Sequence, residues 1–328
     1  MHTRKSSFTR LLLVLAGIFL AARPALSLAQ LPSPWQSSAG LGVLTGPLTY
    51  PRWAVDANGG RLEFAKAPMR IVSLEYEMDE YVYRIAPTER VVGVSAQAHR
   101  EQVSNVLEHV KRHQPAVATN IEVILKLDPD LVLASSRSNG DLIHQIQSAG
   151  IPVFRIHTLA TSLDQVAENI SLIGYVTGCD ESASAERARF TREIEQIRTQ
   201  CRAHEKPPRV FGVSMVSYTY GDQTLFHDVV RLVGGVNVGA EQGLRTYQKV
   251  GRETILRWNP EWIFTWSDPG QGTRELQNWL DDPVVGATEA AQKQQVVVSD
   301  GKDHLPLSPL VTQLARIMAN HLCKTANP

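Results

Sequence analysis

The sequence predicts an α/β protein of two similar lobes, joined by one long, rigid backbone helix and holding a ligand cleft between them. Three observations carry the prediction. Strand and helix patterns alternate in both halves of the chain. The middle carries a helical pattern of about 24 residues, roughly 36 Å if continuous. A sixteen-residue segment of the first half recurs in the second.

The chain opens with Arg4, Lys5 and Arg10 ahead of an apolar run from Leu11 to Ala22, closed by Arg23-Pro24. Ser27-Leu28-Ala29 places small residues where a signal peptidase looks for them, so 1–29 is expected to be a cleaved signal peptide. A run of twelve residues falls short of the roughly 20 that a membrane-spanning helix needs. Without a cysteine near the cleavage point, a lipid anchor is not expected. The mature chain is therefore expected free in a periplasm, as a monomer.

Basic and acidic residues balance at 33 each, and no basic run follows the signal, which argues against a nucleic-acid partner. The cysteines are Cys179, Cys201 and Cys323, without metal-type spacing. Cys179 and Cys201 lie 22 residues apart on nearly one helix. That separates them by roughly 33 Å, beyond the reach of a disulfide. A bond from either one to Cys323 stays open. No resident cofactor and no metal centre are expected.

Residues 30–50 are rich in Pro, Gly and Ser and read as a flexible leader. The first lobe is expected over 51–160. It begins with a hairpin of strands 52–55 and 61–64 around the turn Asp56-Ala57-Asn58-Gly59-Gly60. Strands follow at 71–74, 91–94, 131–134 and 152–156, with helices at 79–85, 121–127 and 140–149, an alternation that implies a mostly parallel sheet.

Connecting helices are expected over 161–206. Ser162 with Gln165 forms a capping-box start, Leu163, Val166, Ile170 and Ile173 mark one apolar face, and Gly178 suits a helix C-cap. A second helix from Cys179-Asp180 to about residue 204 sets Ala183, Phe190, Ile194, Ile197 and Cys201 on one face, with Arg187, Arg192, Glu193, Glu195 and Arg198 opposite. Pro207-Pro208 stops it. The second lobe, 207–328, reads as strands at 209–215, 262–265 and 295–298, a helix at 224–233 and a closing amphipathic helix at 307–323.

The recurrence is NIEVILKLDPDLVLAS (120–135) against GRETILRWNPEWIFTW (251–266). Glu122/Glu253, Ile124/Ile255, Leu125/Leu256 and Pro129/Pro260 are identical, and Lys126/Arg257, Asp128/Asn259, Asp130/Glu261 and Val132/Ile263 are conservative. Each copy is a short helix that stops at a proline and enters a buried strand, as expected of a duplicated unit. Two similar lobes imply a cleft, and clefts at domain interfaces are where small molecules bind.

The stretch DANGG…KAPMRIVSL (56–74), the strand VVGVS (91–95), NIEVILKLDPDLVLAS and the late LVGGVNV (232–238) resemble the periplasmic binding proteins for cobalamin, iron–siderophores and haem. The resemblance extends from about Asp56 to the closing helix. It implies two α/β lobes on one backbone helix, capture of a small-molecule metal chelate, and delivery to an ABC permease in the inner membrane. It also implies that one glutamate in each lobe docks the permease, at Glu122 and Glu253. An acidic residue in a helix's first turn also complements the helix dipole, by about 0.3–1 kcal/mol.

Ligand contacts are implied at Tyr218 and Tyr247, where relatives carry cleft aromatics that offer flat area at small entropic cost. Trp266, Arg245, Gln97, His99, Arg100 and Arg137 lie on loops expected to line the cleft. The chain departs from the cobalamin-type pattern near Gln97 and Ala116, where aromatics are missing, and at Val233, where a cysteine is usual. The ligand stays open among corrinoid, iron–siderophore and haem, with His99 or His304 as metal ligand if haem binds. A non-transport accessory or sensor binding protein of the same fold is one rival, which loss of Glu122 and Glu253 would have marked, and an enzyme using the cleft is the rival from another class. The chain has no GxSxG elbow, HExxH, Walker loop or dinucleotide fingerprint, and nothing pairs Asp222 with Asp268 as acid and base.

Overall fold

The computed structural model describes residues 44–110, 116–117, 120–201, 206–214, 217–304 and 306–323, all within one structural unit, Trp35–Pro328. The expected signal peptide at 1–29 and the leader as far as residue 43 lie outside the described residues. The flexible-leader expectation does not hold for 44–50. Leu44–Thr45 pairs antiparallel with Arg52–Val55. The buried Tyr175 hydroxyl accepts from Gly46 N at 3.1 Å and donates to Pro47 O at 3.0 Å, fixing the segment to the connecting helices. Among the described residues no helix is long and apolar enough to cross a membrane.

Two α/β lobes follow. The first holds a parallel sheet in the order Ala116–Val117, Val91–Ser95, Ile71–Ser73, Leu131–Ser135, Val153–Ile156. Its central strands are buried throughout, which is why they read as continuous apolar runs rather than alternating ones. Ile71, Leu131 and Leu133 face one core, while Val72, Val132 and Ala134 face a second. The second lobe repeats the plan with Val236–Asn237, Arg209–Gly212, Trp262–Ser267 and Val296–Asp300, again all parallel. The strand expected over 209–215 is shorter. Ser217 takes a left-handed turn (φ 64°), and Tyr218–Tyr220 then pairs antiparallel with Tyr247–Lys249 as a separate ribbon.

Leu163–Thr177 and Asp180–Gln200 connect the lobes. Ser162 caps the first through Gln165 N at 3.1 Å, and Gly178 ends it at φ 69°, a conformation glycine adopts without cost. A side chain at Gly174 would place Cβ 2.2 Å from that of Ala183, so this glycine permits the close approach of the two helices. Ala183, Phe190, Ile194 and Ile197 are buried, as their spacing predicts. The expected solvent face is partly engaged instead. Glu193 pairs with Arg189 and, at 2.8 Å, with Arg316 of the terminal helix, while Glu186 pairs with Arg84 of the first lobe.

The long helix stops at Gln200, short of residue 204, and Cys201 leaves helical geometry to bond Cys323 across a Cα separation of 4.9 Å. This settles the pairing that the sequence left open. Cys179 is a buried free thiol, with Arg90 Nη1 3.0 Å from its sulfur.

The duplicated segments share their backbone. Ile121–Lys126 and Arg252–Trp258 are the short helices, and Asp128 and Asn259 end them in the left-handed region at φ 45° and 44°. Left-handed geometry disfavours most side chains by about 1–2 kcal/mol but is tolerated by Asp and Asn. One arginine closes each unit. Arg70 donates to the carbonyls of Leu127 and Asp128, while Arg209 donates to those of Trp258 and Asn259. These bonds satisfy carbonyls that a helix end leaves open. Asp130 and Glu261 accept in return from the backbone N–H of Arg70, at 2.8 Å, and of Arg209, at 3.1 Å.

Candidate ligand-binding site

In parallel sheets, ligands gather where the strands end. The neighbouring strands Ile71–Ser73 and Leu131–Ser135 run in the same direction, so the turns after them lie on one edge. Glu75 joins these turns: its carboxylate accepts from Ser135 N at 3.0 Å and from the Ser138 hydroxyl. The same turn carries the exposed Arg137, and Glu75 leads into the helix Tyr76–Ile85. Arg137 also lines a cavity of about 510 Å³ with His157, Thr158 and Gln165.

The second lobe answers with the ribbon. Its register pairs Tyr220 with Tyr247 and Tyr218 with Lys249, and strand alternation puts all four on one face. Tyr220 is buried, stacked on Phe226 at 4.5 Å between ring centres, and meets Tyr247 edge-on at 5.7 Å. Tyr218 and Tyr247 keep 42% and 39% of their surface exposed, an unusual exposure for rings on so firm a base.

Electrostatics ties the two sides together. Burial raises the Tyr247 hydroxyl, the Glu77 carboxylate adds to the rise and Arg137 opposes it. Burial likewise raises Glu75 and Tyr76, and Tyr76 feels both Tyr220 and Tyr247 across the cleft. Glu77, 8% exposed, is pushed up to about 7 by burial, with Glu75 adding and Arg137 opposing. Next to this face the lobes touch directly. Asn105 donates to Lys302 O at 2.7 Å and to Glu80 at 2.8 Å, and the Tyr81 hydroxyl donates to Leu307 O at 3.3 Å.

The expected site residues divide. Arg137 and Tyr247 share one electrostatic environment, and Tyr218 lies on the face of Tyr247. Gln97, His99 and Arg100 form a separate turn after Val91–Ser95; Gln97 and Arg100 are exposed, and His99 Nε2 has no partner among the described residues. With the Gln223 amide turned so that its oxygen faces the guanidinium, Arg245 Nε donates to it at 3.2 Å. The Trp266 indole packs beside Gly301, where an added Cβ would sit 2.9 Å from the ring.

His304 is buried against Tyr220 and Phe226, Nδ1 is 3.4 Å from Ser299 Oγ, and burial drives its pKa down to about 3. Among the described residues, no group of three or more His, Cys, Asp or Glu is arranged to hold a metal ion.

Glu75, Tyr76, Glu77 and Tyr220 are absent from the sequence expectation. The signal was the run LEYEMDEY (74–81), with four carboxylates just after a buried strand, where a surface loop was not needed. The helix was expected from 79, which left Glu75 and Glu77 in an unassigned connection.

This acidic run carries a pH dependence. Burial raises Glu77, Asp79 and Glu80 each to about 7, against hydrogen bonds that favour their charged forms. The native chain then holds protons that the unfolded chain, titrating near 4, has already released. Stability therefore grows as pH falls from 8.5 towards 6.5, by at most about 1.4 kcal/mol per unit for each group. Below about 6.5 the histidines His227, His304 and His321, all lowered by burial, act in the opposite direction. Thermal melts across that window should show Tm rising on acidification and a weaker rise for Glu77→Gln; a flat profile contradicts the assignment.

Residues 71–302 match the family model described as periplasmic binding protein. A cobalamin-binding protein of Halobacterium salinarum is 28% identical over 320 residues, covering 96% of this chain and 84% of its own. A vitamin B12-binding protein of Yersinia pestis is 29% identical over 225 residues, 67% of this chain and 78% of its own. Among solved structures, the haem-binding protein RhuT of Roseiflexus sp. RS-1 superposes with a TM-score of 0.66 at 22% identity, covering 77% of this chain and 97% of that one. At that identity the likeness concerns the fold.

Proposed function

The chain belongs to the periplasmic binding protein family, and from that premise we propose that it is the extracytoplasmic receptor of an ABC importer for a corrinoid-type metal chelate. The observation that supports the ligand class is the make-up of the facing groups: Glu75 and Glu77, both largely buried and raised by that burial, stand with Arg137 opposite Tyr247, whose ribbon face also carries Lys249. A corrinoid ring has a neutral rim of carboxamide arms, whose N–H groups donate to carboxylates while the tyrosines cover its face. The propionates of haem and the anionic oxygens of ferric catecholates gain nothing from these two carboxyl groups. The names of the cobalamin- and B12-binding relatives agree with this choice.

Under this proposal the lobes divide as 51–160 and 207–328 around a connector at 161–206. Residues 1–29 direct export, and the receptor works as a monomer in the periplasm. Tyr218, Tyr247, Arg137 and Trp266 form the cleft lining, with Gln97, His99 and Arg100 on the first-lobe rim and Arg245 holding the base of the ribbon. Glu122 and Glu253 dock the permease.

Calorimetric titration with cyanocobalamin, haemin and a ferric catecholate tests the ligand class: cyanocobalamin should bind most tightly, and haemin binding better overturns it. Tyr247→Ala should weaken cyanocobalamin by about 1–3 kcal/mol, the range of an aromatic anchor. Tyr218→Ala should cost as much or less, with both melts near wild type. A Tyr247 variant that melts far lower marks that ring as core.

A further inference from the structure

We propose that Leu125 and Leu256 are the apolar anchors of the permease contact, each entering an apolar socket beside a cationic side chain that meets Glu122 or Glu253. The proposal rests on the receptor reading above and supplies what the glutamates alone do not, a source of affinity.

The duplicated segments keep four identical residues in sixteen. Two have reasons inside the fold: Ile124 and Ile255 are buried at 0% and 2% exposure, and Pro129 and Pro260 follow the left-handed helix ends. The other two pairs are exposed. Leu125 and Leu256 are 44% and 37% exposed, and Glu122 and Glu253 stand free of any ion pair among the described residues. Their neighbours have diverged, Val123 to Thr254 and Leu127 to Trp258, so retention was not general.

Geometry makes each pair one patch. Positions three apart on a helix are surface neighbours, so each glutamate stands beside its leucine. The arginine clamp at the helix end, from Arg70 or Arg209, holds the short helix in place and presents the pair on a fixed base. Among the described residues, six large hydrophobics are exposed, and these leucines are two of them. Tyr218 and Tyr247 belong to the cleft.

The same acidic-plus-apolar patch, offered once by each lobe, fits a partner that presents one complementary surface twice: a cationic side chain next to an apolar socket. Exposed charges mainly set orientation and encounter rate, whereas desolvated apolar anchors set residence time.

The test uses the permease complex that the wild-type chain retains from its host's inner membrane, reconstituted in nanodiscs, and reads affinity across a salt series. Leu125→Ser/Leu256→Ser should weaken binding at least tenfold at every ionic strength with an unchanged salt slope, and cyanocobalamin titration and melting should match wild type. Glu122→Gln/Glu253→Gln should flatten the salt slope. If the leucine variant binds like wild type while the glutamate variant fails, the anchors are refuted and the docking assignment survives. If both variants bind like wild type, or the wild-type chain retains no permease, the docking assignment itself has failed and the anchors fall with it.

Discussion

Replacing Glu122 and Glu253 together with alanine should abolish uptake of radiolabelled cyanocobalamin by the host, while the purified receptor binds it as tightly as before. Both carboxylates are exposed, and each sits in the first turn of a short helix. Losing the dipole interaction costs about 0.3–1 kcal/mol per site, too little to unfold the chain. Asn120 caps the first helix through Glu122 N at 2.9 Å, a bond to the backbone that an alanine keeps. What disappears is the charge at two equivalent points on two lobes. Single variants should retain part of the uptake, because one patch still orients the receptor. Undiminished uptake by the double variant would refute the docking role.

The second large effect concerns Cys201 and Cys323, which are bonded across 122 residues. Cross-linking a loop of that length removes about 4–5 kcal/mol of chain entropy from the unfolded state. Cys201→Ser/Cys323→Ser should therefore melt on the order of 10 °C lower, given how Tm scales with stability in chains of this size. Both sites are buried at 8% and 5% exposure, so cavity and polarity changes act in the same direction. Denatured, unreduced protein should show one titratable thiol, that of Cys179. Three thiols, or an unchanged melt, would remove the disulfide from the stability of the protein.

Much of this architecture was legible because periodicity and punctuation agree. The apolar positions of the connecting helices, the Ser162 cap and the Gly178 stop all lie where the spacing puts them. The internal repeat proved deeper than its letters: Asp128 and Asn259 adopt the same rare backbone, although aspartate and asparagine are only similar. The arginine clamp was not legible, because Arg70 and Arg209 lie far in sequence from the carbonyls they hold. The ribbon at 218–220 and 247–249 was missed for a similar reason, since nothing local announces a partner almost thirty residues away. The place of Arg137 in an exposed turn just after a strand was legible. Glu75 and Glu77 escaped notice because a buried carboxylate looks, in sequence, like a solvated one.

The helix Asp180–Gln200 also governs which sulfurs meet. In an unstructured chain Cys201 is only 22 residues from Cys179, against 122 from Cys323. The shorter loop closes more easily by about 1.5 kcal/mol. Left to diffusion, oxidation would favour the wrong partner. A helix forms within about a microsecond, whereas thiol oxidation takes seconds or longer. Once formed, these 21 residues hold the two near sulfurs about 30 Å apart. Cys179 is then buried against Arg90, withdrawn from thiol exchange. In the fold, the element that joins the lobes thus keeps Cys179 out of reach of Cys201 and leaves Cys201 to Cys323.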